Sequence, residues 1–376
     1  MHQPRNSAEI CGIVADALAG GAKLEIGGGF TRADFGAPNR AAERLSLRNL
    51  SGIIEYDPAE LVLTARAGTT LTELNAVVAA RGQGFAFEPW GAAGSTIGGV
   101  IAAGVAGARR VSAGSVRDHL LGFEGVSGRG EVFKAGAKVV KNVTGYDLPK
   151  LVCGSWGRLV VMTEVTLKLL PRPPERLTLL WRGLADEAGF ALMRQAMHQP
   201  ADVAAAAHLP GQATLIRLDG FGPSVAARRA HLIAALAQYG TPEALGEAEA
   251  ALFWAACLGG AALAPEPPLW RLSLPPRQAL AAITPLLARG GQYVADWAGG
   301  LIWLTLAGHE ETIRAQAEQA GGHATLARAP AEMRARIPAL HPQAPGIEAL
   351  SRRVRRAFDP LGVFETNRFL DEPNAD

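Results

Sequence analysis

Cysteine is scarce in this chain. Cys11, Cys153 and Cys257 lie far apart and no CxxC occurs. The chain therefore carries no iron–sulfur or zinc motif of its own, and a reduced, cytoplasmic setting is expected. Lysine is also rare, limited to Lys23, Lys134, Lys138, Lys141, Lys150 and Lys168 among many arginines, which reads as genome composition. A formal charge of +2 leaves no large excess of either sign. Nucleic acid and an anionic membrane are therefore not expected as main partners. The opening MHQPRNSAEI lacks the basic-then-apolar pattern of a signal peptide. The longest apolar run, Ala250–Ala264, is broken by Gly259 and Gly260, so a buried or partner-facing helix is expected and no membrane span. No GxGxxG follows a strand, and no GxxxxGK[ST] occurs, so Rossmann and P-loop sites are excluded.

Glycine, by contrast, is abundant and clustered. PWGAAGSTIGGVIAAGVAG (89–107) holds six glycines. Its apolar run from Ile97 to Ala108 is too short for a bilayer. It is also too apolar for a flexible linker. Close backbone approach is the remaining reading, either to a ligand or within a buried bend. Three further Gly-rich segments share the first half: EIGGGFTR (25–32), KNVTGYDLPKL (141–151) and GSWGRLVV (154–161).

The chain around them alternates elements. Residues 8–20 pattern as a helix stopped by Gly20-Gly21, and KLEI (23–26) as a strand. LVLTARA (61–67) is a strand, followed by a helix from Leu71 with Thr70 and Glu73 at capping-box spacing. Residues 159–170 are strand material. PRPP (171–174) breaks the pattern. Beyond it, strands at 177–182, 213–218, 269–274, 292–297 and 301–306 alternate with helices at 185–197, 224–238, 277–288 and 309–320. This order suggests two related α+β units sharing one sheet. In LWRLSL, Trp270, Leu272 and Leu274 face one way and Arg271 and Ser273 the other, as in a sheet covered on one face. PQAPG (342–346) is a second breaker, and a basic helix and extended tail occupy 351–370. With an α+β fold, the expected division is 1–172, 173–344 and 345–376, the last segment returning to the first domain.

The order of these four segments resembles the FAD-binding domain of the vanillyl-alcohol oxidase (PCMH-type) superfamily, over residues 20–171 and more loosely over FDPLGVFETNRF. The stretch GSVRDHLLGFEGVSGRGEVFKAGAKVVKNVTGYDLPKLVCGSWGRLVVMTEVTLKLLPRP is similar to the flavin subunits of bacterial glycolate oxidases. The resemblance implies a two-subdomain FAD domain with an inserted α+β cap, an antiparallel sheet covered by helices. It implies that Gly27, Gly28, Gly29, Phe30 and Thr31 form a first pyrophosphate loop. Ser95, Thr96, Ile97, Gly98 and Gly99, continuing to Gly104, would lie along the pyrophosphate and flavin through peptide N–H groups. Asp118, then Gly145, Tyr146 and Asp147, and finally Gly157, Val160 and Val161 would complete the cofactor contacts. On a bland reading, Asp118 only caps a turn and Tyr146 only fills core.

The resemblance also implies partners: a sister flavin subunit and an iron–sulfur subunit, with a small 2-hydroxy acid as substrate and any membrane association made through those partners. Two departures bear on this. Phe30 stands where relatives with covalent flavin often place His, so the FAD is expected to be non-covalent. The second part of the chain has no GDGN segment. Its histidines, His198, His208, His231, His309, His323 and His341, show no i, i+3 or i+4 pair. Glycolate oxidation with hydride transfer in a sister subunit, a self-sufficient FAD-dependent oxidase or dehydrogenase of another alcohol or 2-hydroxy acid, and a non-catalytic assembly subunit all stay open. No catalytic residue is assigned and no metal site is expected.

Overall fold

The computed structural model describes residues 1–39, 43–137 and 146–370. The first helix, Ser7–Gly20, begins where Asn6 accepts the Glu9 N–H and ends at Gly21 in the left-handed region. Thr70 caps Leu71–Ala79 in the same way, through the Glu73 N–H. Both helices bury one stripe, Ile10 and Val14 in one, Leu74 and Val78 in the other. Those stripes join a first core with Leu63, Ile101 and Leu167.

This core packs on a five-stranded sheet. Its strands run in the order Ile53–Asp57, Val62–Arg66, Val160–Lys168, Leu120–Ser127 and Val132–Gly136, with antiparallel neighbours. A separate parallel pair, Leu24–Gly27 with Glu43–Ser46, lies apart from that sheet and leads directly into the first glycine run.

Beyond residue 174 the chain builds an eight-stranded antiparallel sheet. One half holds Glu243–Leu245, Glu175–Arg182, Ala213–Gly220 and Val203–Leu209. The other holds Gln292–Asp296, Leu301–Thr305, Leu269–Ser273 and His323–Arg328. The halves meet through the pair His208 and Ala295, matching the two related units expected. Helices Asp186–Met197, Gly222–Ala235, Ala279–Leu287 and Glu310–Gln319 cover one face. Trp270, Leu272 and Leu274 point into that second core, as the alternation predicts.

Two features depart from the sequence reading. VAAAAHL (203–209) lies between the expected elements and is rich in alanine, which favours helices. It forms a wholly buried central strand, where small side chains suit close packing on both faces. The sheet face opposite the second core is not simply open either. Leu269, Trp297, Leu301 and Trp303 form a small cluster there, against Trp90 and Ala106 of the first part of the chain. The contact is also polar. Trp297 Nε1 donates to the Gly107 carbonyl (3.0 Å), Arg109 meets Asp219 (3.3 Å) and Arg217 meets Glu88 (2.5 Å).

The basic helix spans Pro345–Phe358. After it the chain rejoins the first core through Val363 and Phe364. Asp359 holds this turn by accepting the N–H groups of Val363 (2.9 Å) and Phe364 (2.8 Å). Leu24 N donates to the Val363 carbonyl (2.8 Å), so the tail meets the strand that carries the first glycine run.

Candidate functional site

Three glycine segments converge. Gly27–Thr31, Thr96–Gly99 and Gly157–Val160 contribute to one cleft with about 740 Å³ of free space, its open mouth included. The loops touch each other closely. A methyl group added at Gly28 would overlap Thr96 Oγ1 and stand 2.7 Å from its Cγ2. One added at Gly29 would overlap the Gly94 carbonyl, and one at Gly98 would stand 2.8 Å from Ala67 Cβ. The close approach foreseen from the sequence is therefore partly loop against loop. Thr31 Oγ1 and Ser95 Oγ seal the same contact at 3.0 Å.

The two loops differ in what they offer a ligand. At the start of the helix Ile97–Ala103, Ile97 N donates to Thr69 O and Gly98 N to Ala67 O, while Gly99 N turns to the Thr96 cap. Those N–H groups are spent on the protein. The peptide N–H groups of Gly28, Gly29, Phe30 and Thr31 meet no acceptor among the described residues. Consecutive bare N–H groups, with Phe30 at φ 51°, form the kind of concavity that suits phosphate oxygens. This donor set and the cleft beside it fit the pyrophosphate of FAD.

Other expected contacts fall elsewhere. Ser95, Ile97 and Val161 are buried behind the cleft. Gly104 borders a second, larger cavity. Asp118 accepts the Ser115 N–H (2.8 Å) and hydroxyl (2.9 Å), and the Ser115 N–H holds its carboxyl below the usual range. Asp147 caps Leu148–Val152 and pairs with Lys150 at 2.9 Å. Tyr146 is 93% exposed, so it does not fill core. Gly145 lies outside the described residues.

The cleft also uses residues that motif reading passed over. Arg368 arrives from the tail, donates to the carbonyls of Phe35 (2.6 Å) and Arg32, and lies over the Trp156 ring at 5.4 Å. Trp156, at φ 57°, stacks on Phe35 with ring centroids 4.0 Å apart. The phrase ETNRF is the sequence signal for Arg368, but only the returning tail gives it a place.

The larger cavity, about 1850 Å³ of free space with its mouth, adjoins the cleft through Thr31, Arg32 and Trp156. It reaches the second sheet at Arg271, Trp303 and His323, and is bordered there by Trp297 and His341. The two histidines, separated by 17 residues, come together here, with His341 Nδ1 accepting the Ala324 N–H at 3.4 Å. Burial and nearby Arg271 push the His323 imidazole below its ordinary value. Three other histidines of this part make local hydrogen bonds, among them His198 to the Arg194 carbonyl at 2.7 Å. His208 bonds Thr214 (2.8 Å) and Asp186 (3.3 Å), and His231 bonds Gln199 (3.1 Å).

Residues 1–136 match the model of an FAD binding domain. Over 370 residues the chain is 34% identical to the glycolate oxidase subunit GlcE of Escherichia coli K12, covering 96% of each chain. It belongs to that family. Over 180 residues it is 32% identical to the glycolate oxidase subunit GlcD of Bacillus subtilis, covering 47% of this chain and 38% of that one. The fold matches the crystal structure of p-cresol methylhydroxylase with a TM-score of 0.72 at 15% identity, covering 100% of this chain and 89% of that one. The chain is thus an FAD-binding protein of α+β, PCMH-type architecture, as the glycine segments led us to expect. Among the described residues, no helix is long and apolar enough to cross a membrane, and no group of three or more His, Cys, Asp or Glu could hold a metal ion.

Proposed function

We propose that this chain is the FAD-binding subunit of a complex that oxidises glycolate to glyoxylate. The observation that carries the reading is the end-to-end similarity to GlcE joined to a cleft with four N–H groups in a row that meet no acceptor among the described residues. FAD, when bound, supplies an acceptor for the hydride that leaves the hydroxyl-bearing carbon. The chain's own contribution is positional. Gly28–Thr31 hold the pyrophosphate, and Thr96, Gly98, Gly99, Gly157 and Val160 wall the cleft. Phe30 has no nucleophile to offer, so the cofactor is held without a covalent bond. Electrons then pass to an iron–sulfur partner, and a sister flavin subunit completes the complex. That two differently named glycolate oxidase subunits both resemble the chain supports a multi-subunit assembly.

The proposed domain division is 1–172 for FAD, 173–344 for the cap and 345–376 as the returning tail. The two separate cores and the Leu24–Val363 hydrogen bond support it.

A second reading, a self-sufficient 2-hydroxy-acid dehydrogenase, gains from the meeting of Arg271, His323 and His341 at one cavity. Anaerobic mixing with glycolate separates the two. Under the first reading the native complex loses its oxidised-flavin absorbance quickly and the isolated chain slowly or not at all. Bleaching of the isolated chain at the turnover rate of the complex would establish the second. A complex that leaves glycolate untouched would overturn the first.

A further inference from the structure

The larger cavity carries a charge imbalance. Arg271 stands in the middle of its strand, between Trp303 and Thr325 on the neighbouring strands. Its guanidinium lies 5.2 Å from the centroid of the Trp297 ring, and Arg110 lies 4.4 Å from the same ring. Beyond that ring, neither guanidinium has a hydrogen bond or ion pair among the described residues. Burial, with Arg110 adding to it, pushes the Arg271 guanidinium down to about 10, so it stays charged at neutral pH.

The rest of the wall does not balance it. Arg32 and Arg328 also border the cavity, each spending one donor on a backbone carbonyl, Trp90 O (2.8 Å) and Ala264 O (2.8 Å). Among the described residues the one acid on the wall is Asp34, whose side chain is 90% exposed and lies 3.5 Å from Arg334. A cation held beside an apolar wall without a counter-ion attracts an anion that enters the cavity. Trp90, Trp297 and Trp303 make the wall apolar beside the charge, which strengthens the attraction by lowering the local dielectric. The guanidinium fork matches a planar carboxylate.

We propose that Arg271 anchors a carboxylate-binding site within this chain's own cavity, and that the ligand is a small 2-hydroxy carboxylate. The identity of the acid rests on the functional reading above, whereas the anion site rests on the cavity alone. FAD brings a competing anion, its pyrophosphate, and the test separates the two sources.

The probe is 2-hydroxy-2-methylpropanoate, which has the carboxylate and hydroxyl but no C–H to lose. Its neutral amide is the control. Each is titrated into the isolated FAD-loaded chain at constant ionic strength, following tryptophan fluorescence and flavin absorbance. The acid is expected to bind at least about tenfold more tightly than the amide. Arg271→Gln is expected to weaken the acid by a similar factor and leave FAD affinity unchanged. Equal binding of acid and amide would overturn the proposal, as would an R271Q variant that loses FAD affinity while keeping the acid. If R271Q does not fold, the comparison of acid and amide on the unaltered chain decides alone. Glycolate turnover by the complex is not read here. Acid binding beside a complex inert to glycolate would keep the site and remove the functional reading.

Discussion

Gly28→Ala tests whether the flavin cleft is shaped by one loop pressing on another. The new methyl would overlap Thr96 Oγ1 and lie 2.7 Å from Cγ2 and 2.8 Å from Cβ. Thr96 cannot simply swing away, because its Oγ1 caps the helix Ile97–Ala103 at the Gly99 N–H. Overpacking of this kind costs about 1–3 kcal/mol. Losing the cap adds about 1 kcal/mol. The expected loss is therefore about 2–4 kcal/mol in the FAD-free chain, with weakened FAD binding because the Gly28–Thr31 N–H groups move with the loop. Thr96→Gly removes all three of those contacting atoms, and Gly is itself a tolerable cap at a cost of a few tenths of a kcal/mol. In the double variant most of the Gly28→Ala penalty should vanish, a coupling of roughly 1–3 kcal/mol. Urea denaturation of the four chains measures the cycle, and flavin fluorescence titration reads FAD affinity. Purely additive stabilities would refute the loop-contact argument. A Gly28→Ala chain that is fully stable yet fails to bind FAD would show that the glycine serves the cofactor alone.

Burial raises the Asp296 carboxyl from an ordinary 3.8 to about 7, so the folded chain holds a proton across that window that the unfolded chain releases. Stability should fall as pH rises through the window and level off above it. Asp296→Asn keeps the acceptor for the Trp297 N–H, and denaturation midpoints at pH 5 and 8 should show its slope flattened; a variant that tracks the native chain contradicts the burial argument. Acid precipitation should leave the yellow colour in the supernatant, since Phe30 cannot bond the flavin; colour in the pellet would overturn the non-covalent reading. A chain ending at Pro338 should lose FAD affinity or solubility, because Arg368, Val363 and the Asp359 turn go with it; unchanged FAD titration would argue against the returning tail.

Local signals in the sequence determined the cap at Thr70, the helix stop at Gly21, the period-two alternation around Arg271 and the positions of the glycine segments. Each depends on residues a few places apart, where spacing and side-chain type decide conformation. The FAD fold was legible for the same reason, since the four glycine segments occur in order along the chain. Tertiary structure decided what those glycines touch. Gly98 lies against Ala67 and Gly28 against Thr96, contacts across tens of residues that no local pattern encodes. It also turned an alanine-rich run, 203–209, into a central strand, because burial on both faces outweighs helix propensity. The histidines show the limit most clearly. His323 and His341 have no helical spacing, yet the start of one strand and a loop beyond the helix Ala331–Arg334 bring them to the cavity that Arg271 lines. Spacing rules detect pairs on one element, while a site assembled from separate strands, loops and a returning tail exists only once the two sheets have packed.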